Sequence, residues 1–294
     1  MAQRGISAES VKQSAQQAVD HPWFEKLARF GYAAKGIVYL LAGVLTARAA
    51  FGLGGAATDK QGALRTILAQ PFGQIMLVLI AIGLIGYVLL RVVQATLDPE
   101  HKGSDAKGIA QRVGYLFSAI GYGGLAITAL RYAQRGAATP GNAQASEQGL
   151  VANIFQYPLG RWLVGLAGLG VIGVGLQQIY RGWTSDFSEH MRWDAMSATE
   201  RRWATILGRM GLAARGIVWV LAGGFLVQAA MTLNPQRVQD SGGALQALAG
   251  MTPPSVVGLI ALGLAAYGVY MLAASRYARI VTGTPQKRQR AQAN

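Results

Sequence analysis

The sequence predicts an all-α polytopic membrane protein, with six transmembrane helices as three tandem two-helix repeats in pseudo-threefold symmetry. Three observations predict it. Charged residues are 14% of the 294 positions and apolar residues 52%, whereas a soluble domain carries roughly 25% charge. Six long stretches carry no charge at all. Three segments of the chain align with one another almost without gaps.

The uncharged stretches run over Gly36 to Ala47, Phe72 to Leu90, Val113 to Leu130, Trp162 to Tyr180, Gly216 to Met231 and Ser255 to Ala274. Most approach the ~20 residues a bilayer-crossing helix needs. The first is short. It is expected to draw in Phe30 to Ala34 and Ala49 to Phe51, with Lys35 and Arg48 snorkelling toward the two interfaces. The polar first thirty residues lack the short apolar core and cleavage site of a signal peptide, so the first span is expected to act as its own insertion signal.

Most of the 27 Lys and Arg fall on one side of these spans. Arg4, Lys12, Lys26 and Arg29 precede the first; Arg91, Lys102, Lys107 and Arg112 flank the second loop; Arg181, Arg192, Arg201, Arg202 and Arg209 flank the fourth; Arg276, Arg279, Lys287, Arg288 and Arg290 end the chain. The positive-inside rule makes that side cytoplasmic. The expected location is an inner membrane with both termini in the cytoplasm. The formal charge of +14 thus reads as topology, and no nucleic-acid partner is expected.

The repeat begins RFGYAAKGIVYLLAG at Arg29, RVGYLFSAIGYGGLA at Arg112 and RMGLAARGIVWVLAG at Arg209. Each is followed by an outer-loop motif, QGALRTILAQPFG from Gln61, QGLVANIFQYPLG from Gln148 and GGALQALAGMTPP from Gly242, and then by a Gly-rich span. The predicted units are a 1–22 segment, repeats over 23–98, 106–184 and 203–280, and a basic 281–294 tail. An even number of crossings per unit gives all copies one orientation, as in parallel-repeat membrane proteins.

In the first helices, small residues recur seven apart at Gly36 and Gly43, Ala119 and Ala126, Gly216 and Gly223, with Tyr39, Tyr122 or Trp219 between them. Such spacing makes one close-packing helix face. Gly83 and Gly86, Gly170 and Gly173, Gly263 and Ala266 in the second helices are expected to form the other half of that seam. In the loops, Asp59, Ser146 and Asp240 are expected to cap short helices, and Pro71, Pro158 and Pro253 to end them. Leu64, Ile67 and Leu68 share a face expected to rest on the membrane interface.

At these residues the chain resembles a bacterial membrane family catalogued as domain of unknown function 1206, described as a two-helix unit occurring three times. The R-x-G-Y-x-A-K-G-x-V-Y stretch from Arg29, its two echoes and the loop Gly and Pro markers carry the resemblance. It departs most in the second copy, where Ser118 stands for Lys35 and Arg215. The resemblance implies the fold and no activity.

The thirteen acidic residues lie outside the uncharged stretches, which argues against a proton-driven pump relying on buried carboxylates. Cysteine is absent, removing thiolate and cysteine-metal chemistry. His21, His101 and His190 precede the next repeat arginine by eight, eleven and nineteen residues, unlike the fixed geometry a shared metal demands. No catalytic motif is present, and neither metal nor cofactor is expected. Gln94, Gln177 and Gln178 join Arg91 and Arg181 as inner-rim anchors.

One constellation remains, Arg29, Arg112 and Arg209 at the mouth of each first helix, with Lys35 and Arg215 deeper. Turned inward these make a cationic collar for an anionic phospholipid head group or a small anion; turned outward they anchor helices. The first reading of function is a non-enzymatic scaffold binding anionic lipid or a partner at an Arg-rich rim with Trp23, Trp183, Trp193 and Trp203. The alternative is a passive channel or carrier for a small anion. A polar centre lined by Lys35, Ser118 and Arg215 favours the alternative, and a dry one the scaffold.

Overall fold

The computed structural model describes residues 21–55, 58–97, 105–135, 143–184, 191–239 and 241–278. Nine α-helices carry the described fold. Six are long and apolar enough to cross a membrane: α1 (Pro22–Ala50), α3 (Gly73–Thr96), α4 (Ala106–Arg135), α6 (Gly160–Thr184), α7 (Ala198–Thr232) and α9 (Pro254–Tyr277). Three short helices, α2 (Lys60–Leu68), α5 (Ala143–Phe155) and α8 (Ser241–Met251), cross the loop face. The repeat therefore reads long, short, long, three times over.

The first span draws in the flanking residues expected and more, reaching 29 residues because the helix begins at Pro22, where proline's fixed φ suits the first turn. His21 caps it, accepting from the Trp23 amide at 3.3 Å. Asp59 caps α2 as expected, its Oδ1 accepting from the Gly62 amide at 2.8 Å. α5 already runs from Ala143, which places Ser146 inside the helix; Asp240 lies outside the described residues. The α2 face does not rest on the interface. Ala63, Leu64 and Ile67 are buried in the main core, since the bundle top offers that face a better apolar surface than a headgroup layer.

The spans form an open ring, broken between α4 and α6. Packing is most extensive between repeats, α9 on α1, α3 on α4 and α6 on α7, and less so within them, α1 on α3 and α7 on α9. The small residues of the first helices serve the contacts between repeats. A Cβ on Gly43 would stand 2.7 Å from the Ala261 carbonyl oxygen, one on Gly36 2.9 Å from that of Gly268, one on Gly216 2.6 Å from that of Gly175 and one on Gly223 2.8 Å from that of Gly168. Ala119 and Ala126 are buried at the equivalent places of α4.

The other half of that seam is not the set the sequence suggested. Gly83 and Gly86 face Ala34 and Leu27 of their own repeat, and Gly263 faces Ala214 of its own. A second seam thus runs inside the repeat, where Gly31 meets the Gly83 carbonyl and Gly211 meets Tyr267. In the second repeat this inner seam is open. Gly114 on α4 and Gly170 and Gly173 on α6 have nothing within 4 Å of where a Cβ would stand. The sequence explains why. Ala34 and Ala214, the side chains nearest Gly83 and Gly263, are replaced in register by Phe117, which is 68% exposed. A ring cannot occupy a space in which even a methyl group is tight.

The three repeat arginines do not gather at the axis. Arg29 pairs with Glu25 at 2.7 Å and donates to the carbonyls of Ser275 (3.1 Å), Arg276 and Ala278 (3.3 Å) at the end of α9. Arg112 donates to those of Ala95 (2.7 Å) and Thr96 (3.5 Å) at the end of α3. In repeat register Ala95 and Thr96 are Ser275 and Arg276, so both arginines do the same work. They satisfy orphan carbonyls at the negative end of the neighbouring repeat's second helix. The backbone of Arg209 stands in the matching corner, its carbonyl oxygen 3.0 Å from a Cβ built on Gly182. Arg112→Ala is expected to cost about 1 kcal/mol, read as a lower thermal midpoint in detergent; an unchanged midpoint would show that the arginine does not act as a cap.

Candidate functional site

Lys35 lies six residues past Arg29, about 9 Å along an α-helix, on the face of α1 turned to the ring's centre. It does not snorkel. Its relative exposure is 1%, because Tyr87 and Tyr122 reach it from α3 and α4 and Tyr267 from α9. Its Nζ donates to Tyr87 Oη at 2.8 Å and lies 4.5, 4.8 and 5.3 Å from the ring centroids of Tyr87, Tyr122 and Tyr267. Ring faces are the negative end of the aromatic quadrupole, so they stabilise a desolvated ammonium by about 2 kcal/mol.

Two further cations share these tyrosines. Arg91 donates to Tyr87 Oη through Nε (2.8 Å) and Nη2 (2.6 Å), to Gln94 through Nη1 (2.8 Å), and stacks over Tyr115 at 5.0 Å. Arg215, the third-repeat counterpart of Lys35, donates from Nη1 to Tyr267 Oη at 3.2 Å and lies over Tyr267 (5.1 Å), Trp219 (5.3 Å) and Tyr39 (5.9 Å). Tyr122 donates to Tyr39 Oη at 3.2 Å. The rings meet edge to face, Tyr39 with Tyr267 and Tyr87 with Tyr122, each pair at 4.9 Å, the favoured arrangement of aromatic quadrupoles. From the loop face Lys60 comes over Tyr39 (5.7 Å) and Tyr122 (5.8 Å).

Among the described residues, none of Lys35, Arg91, Lys60 and Arg215 has a carboxylate within ion-pair distance. The hydroxyls and rings around them are neutral groups that soften the charge without cancelling it. A cluster of this kind holds anions or excludes cations. Its cations are supplied by the first and third repeats, while Tyr115 and Tyr122 come from the second. The second contributes Ser118, Val174 and Gln178 where the others place Lys35 and Arg215, Tyr87 and Tyr267, and Arg91.

Of the five cations singled out from sequence, the structure brings Lys35 and Arg215 to the centre and sets Arg29 and Arg112 on helix ends. Sequence reasoning missed Tyr87, Tyr267, Arg91 and Lys60 as partners. A signal existed. The inner-seam pairs Gly83, Gly86 and Gly263, Ala266 are each followed at once by the tyrosine that meets the cation. His101 and His190 lie outside the described residues, and no metal-binding group of His or acidic residues occurs among the described ones.

The protein defined by this fold and centre is a multi-pass membrane protein of triplicated helical hairpins. It belongs to the family described as Domain of Unknown Function DUF1206, whose pattern matches over 30–98, 113–185 and 210–278. It is similar to an uncharacterized protein, YxxB, of Bacillus subtilis (strain 168), with 36% identity over 252 residues, 85% of this chain and 90% of the relative. No solved structure matches it.

Proposed function

We propose that this is a non-enzymatic integral membrane protein that binds a small anion at the centre of the three-repeat bundle, with the Arg-rich terminal face on the cytoplasmic side. The observation that carries this reading is Lys35, almost completely buried beside Arg91 and Arg215 with neutral tyrosines for company. Three cations are retained at a depth where apolar residues would be cheaper. An anion supplies what the tyrosines do not.

Lys35→Met tests it with two readouts. A purely structural lysine loses its ring contacts on substitution, so the variant is less stable by about 1–2 kcal/mol. A lysine kept for a ligand leaves a fold that is as stable or more so, since an unpaired buried charge has gone, but one that no longer retains anions in equilibrium dialysis. Unchanged anion retention in Lys35→Met rejects the reading. Charge-selective flux through proteoliposomes, lost in the same variant, extends binding to passage, which requires the tyrosines around Lys35 to part.

A second reading applies to the terminal face. Trp23 (58%), Trp203 (57%) and Trp183 (85%) are exposed there among arginines, the composition of an interfacial belt facing anionic phospholipid. Native mass spectrometry that finds no preference for anionic over zwitterionic lipid rejects it.

A further inference from the structure

A cavity of ≈ 30 Å³ lies between the central cluster and the loop face, lined by Tyr39, Thr58, Asp59, Lys60, Arg215 and Trp219 among others. We infer that this cavity is the seat of the anion, and that it takes one dehydrated monovalent anion of halide size between Arg215 and Lys60. The inference rests on the reading of the centre as an anion site and adds where the ion sits and what class of ion it is.

Four observations support it. The Arg215 Nε is buried and has no hydrogen-bond partner, although a guanidinium stays charged at any working pH and its N–H groups seek acceptors. Lys60 lines the same cavity and meets only ring faces among the described residues, so two cationic donors are unspent at one place. The volume corresponds to about two water-sized occupants, which admits a halide and is too small for a phospholipid head group. Asp59 also lines the cavity, with Oδ1 held by the Gly62 amide. That carboxylate repels a doubly charged oxyanion about twice as strongly as a halide, which favours the smaller charge.

The roof indicates the side of entry. Thr46 Oγ1 donates to the Thr58 carbonyl at 2.8 Å and accepts from the Thr58 amide at 3.0 Å. A Cβ on Gly242 of α8 would stand 2.6 Å from Asp59 Cβ. The Thr58 to Lys60 segment therefore closes the cavity from the loop face, and an ion reaches Arg215 by passing Lys60.

The test is chloride line broadening in NMR on the full chain in detergent micelles, with bromide, phosphate and sulfate as competitors. Wild type is expected to broaden chloride, bromide to compete, and phosphate and sulfate to leave the signal unchanged. Lys60→Ala and Arg215→Lys are each expected to weaken chloride binding by about tenfold. Lys60 sits at the partly exposed start of α2, so its variant folds and decides the matter even if Arg215→Lys does not. Chloride affinity within about twofold of wild type in Lys60→Ala, or phosphate competing as well as bromide, overturns the cavity. If chloride binding then still disappears in Lys35→Met, the central site stands without this seat. Absence of chloride broadening in wild type removes the halide seat, while retention of another anion in dialysis leaves the broader reading intact.

Discussion

Gly43→Leu is expected to prevent assembly of the bundle, whereas Gly124→Leu on α4 leaves it intact. Both are glycines in the middle of a first helix, and leucine improves intrinsic helix propensity at each by under about 1 kcal/mol. The difference lies in what the side chain meets. At Gly43 the first added carbon already encroaches on the backbone of α9, on the Ala265 amide and the Ala261 carbonyl. Backbone cannot rotate aside, so α1 and α9 must separate along the seam that joins the first repeat to the third. Overpacking a core by a few methylenes costs about 1–3 kcal/mol, and here the whole contact is at stake. At Gly124 no atom lies within 4 Å of the new carbon, and leucine meets lipid. Size-exclusion profile and thermal aggregation in detergent read the contrast. Equal behaviour of the two variants would show that the α1–α9 seam does not hold the ring.

Phe117→Ala is expected to let α4 close on α6. The inner seams of the first and third repeats show what closure requires: a glycine face on each helix and an alanine between them. The second repeat keeps Gly114, Gly170 and Gly173, and departs at Phe117. Lipid gives little hydrophobic drive to helix association, so fit decides it. Removing the ring restores the fit. The chain has no cysteine, which allows a clean distance measurement with Gln111→Cys and Gln177→Cys. In repeat register these positions correspond to Ala28 and Leu90, which pack in one buried cluster. Disulfide formation between the two cysteines is expected to be slow with Phe117 present and roughly tenfold faster in the Phe117→Ala background. Equal rates would mean that something other than Phe117 holds the second repeat apart. Closure also bears on the site, because Tyr122, which faces both Lys35 and Lys60, is carried by α4.

Much of the fold was legible from single residues. Charge-free length located the six spans, self-similarity revealed the triplication, and seven-residue spacing found the small residues that let helices touch. The sites of error are as informative. Snorkelling was the natural expectation for Lys35, six residues past Arg29 at the edge of the expected span, because the rule assumes lipid around the side chain. Around Lys35 there are three tyrosines from other helices, and no local pattern contains that. The repeat arginines looked like a collar because they recur at one depth; depth fixes the layer of a residue and not its direction around the helix, and the targets of Arg29 and Arg112 proved to be the carbonyl ends of neighbouring repeats.

Composition and period therefore settle a definite set of properties: membrane residence, three hairpins in one orientation, the small-residue faces, and a chain without thiols or acidic residues in its uncharged spans. Which glycine face meets which helix, the opening of the second repeat, and the convergence of cations from two repeats and a loop on one set of tyrosines emerge only when the chain is folded. The division follows from the reach of the interactions. Hydrophobicity and helical periodicity act on a residue and its near neighbours in the chain, while steric closure and the balance of buried charge depend on residues tens to hundreds of positions apart.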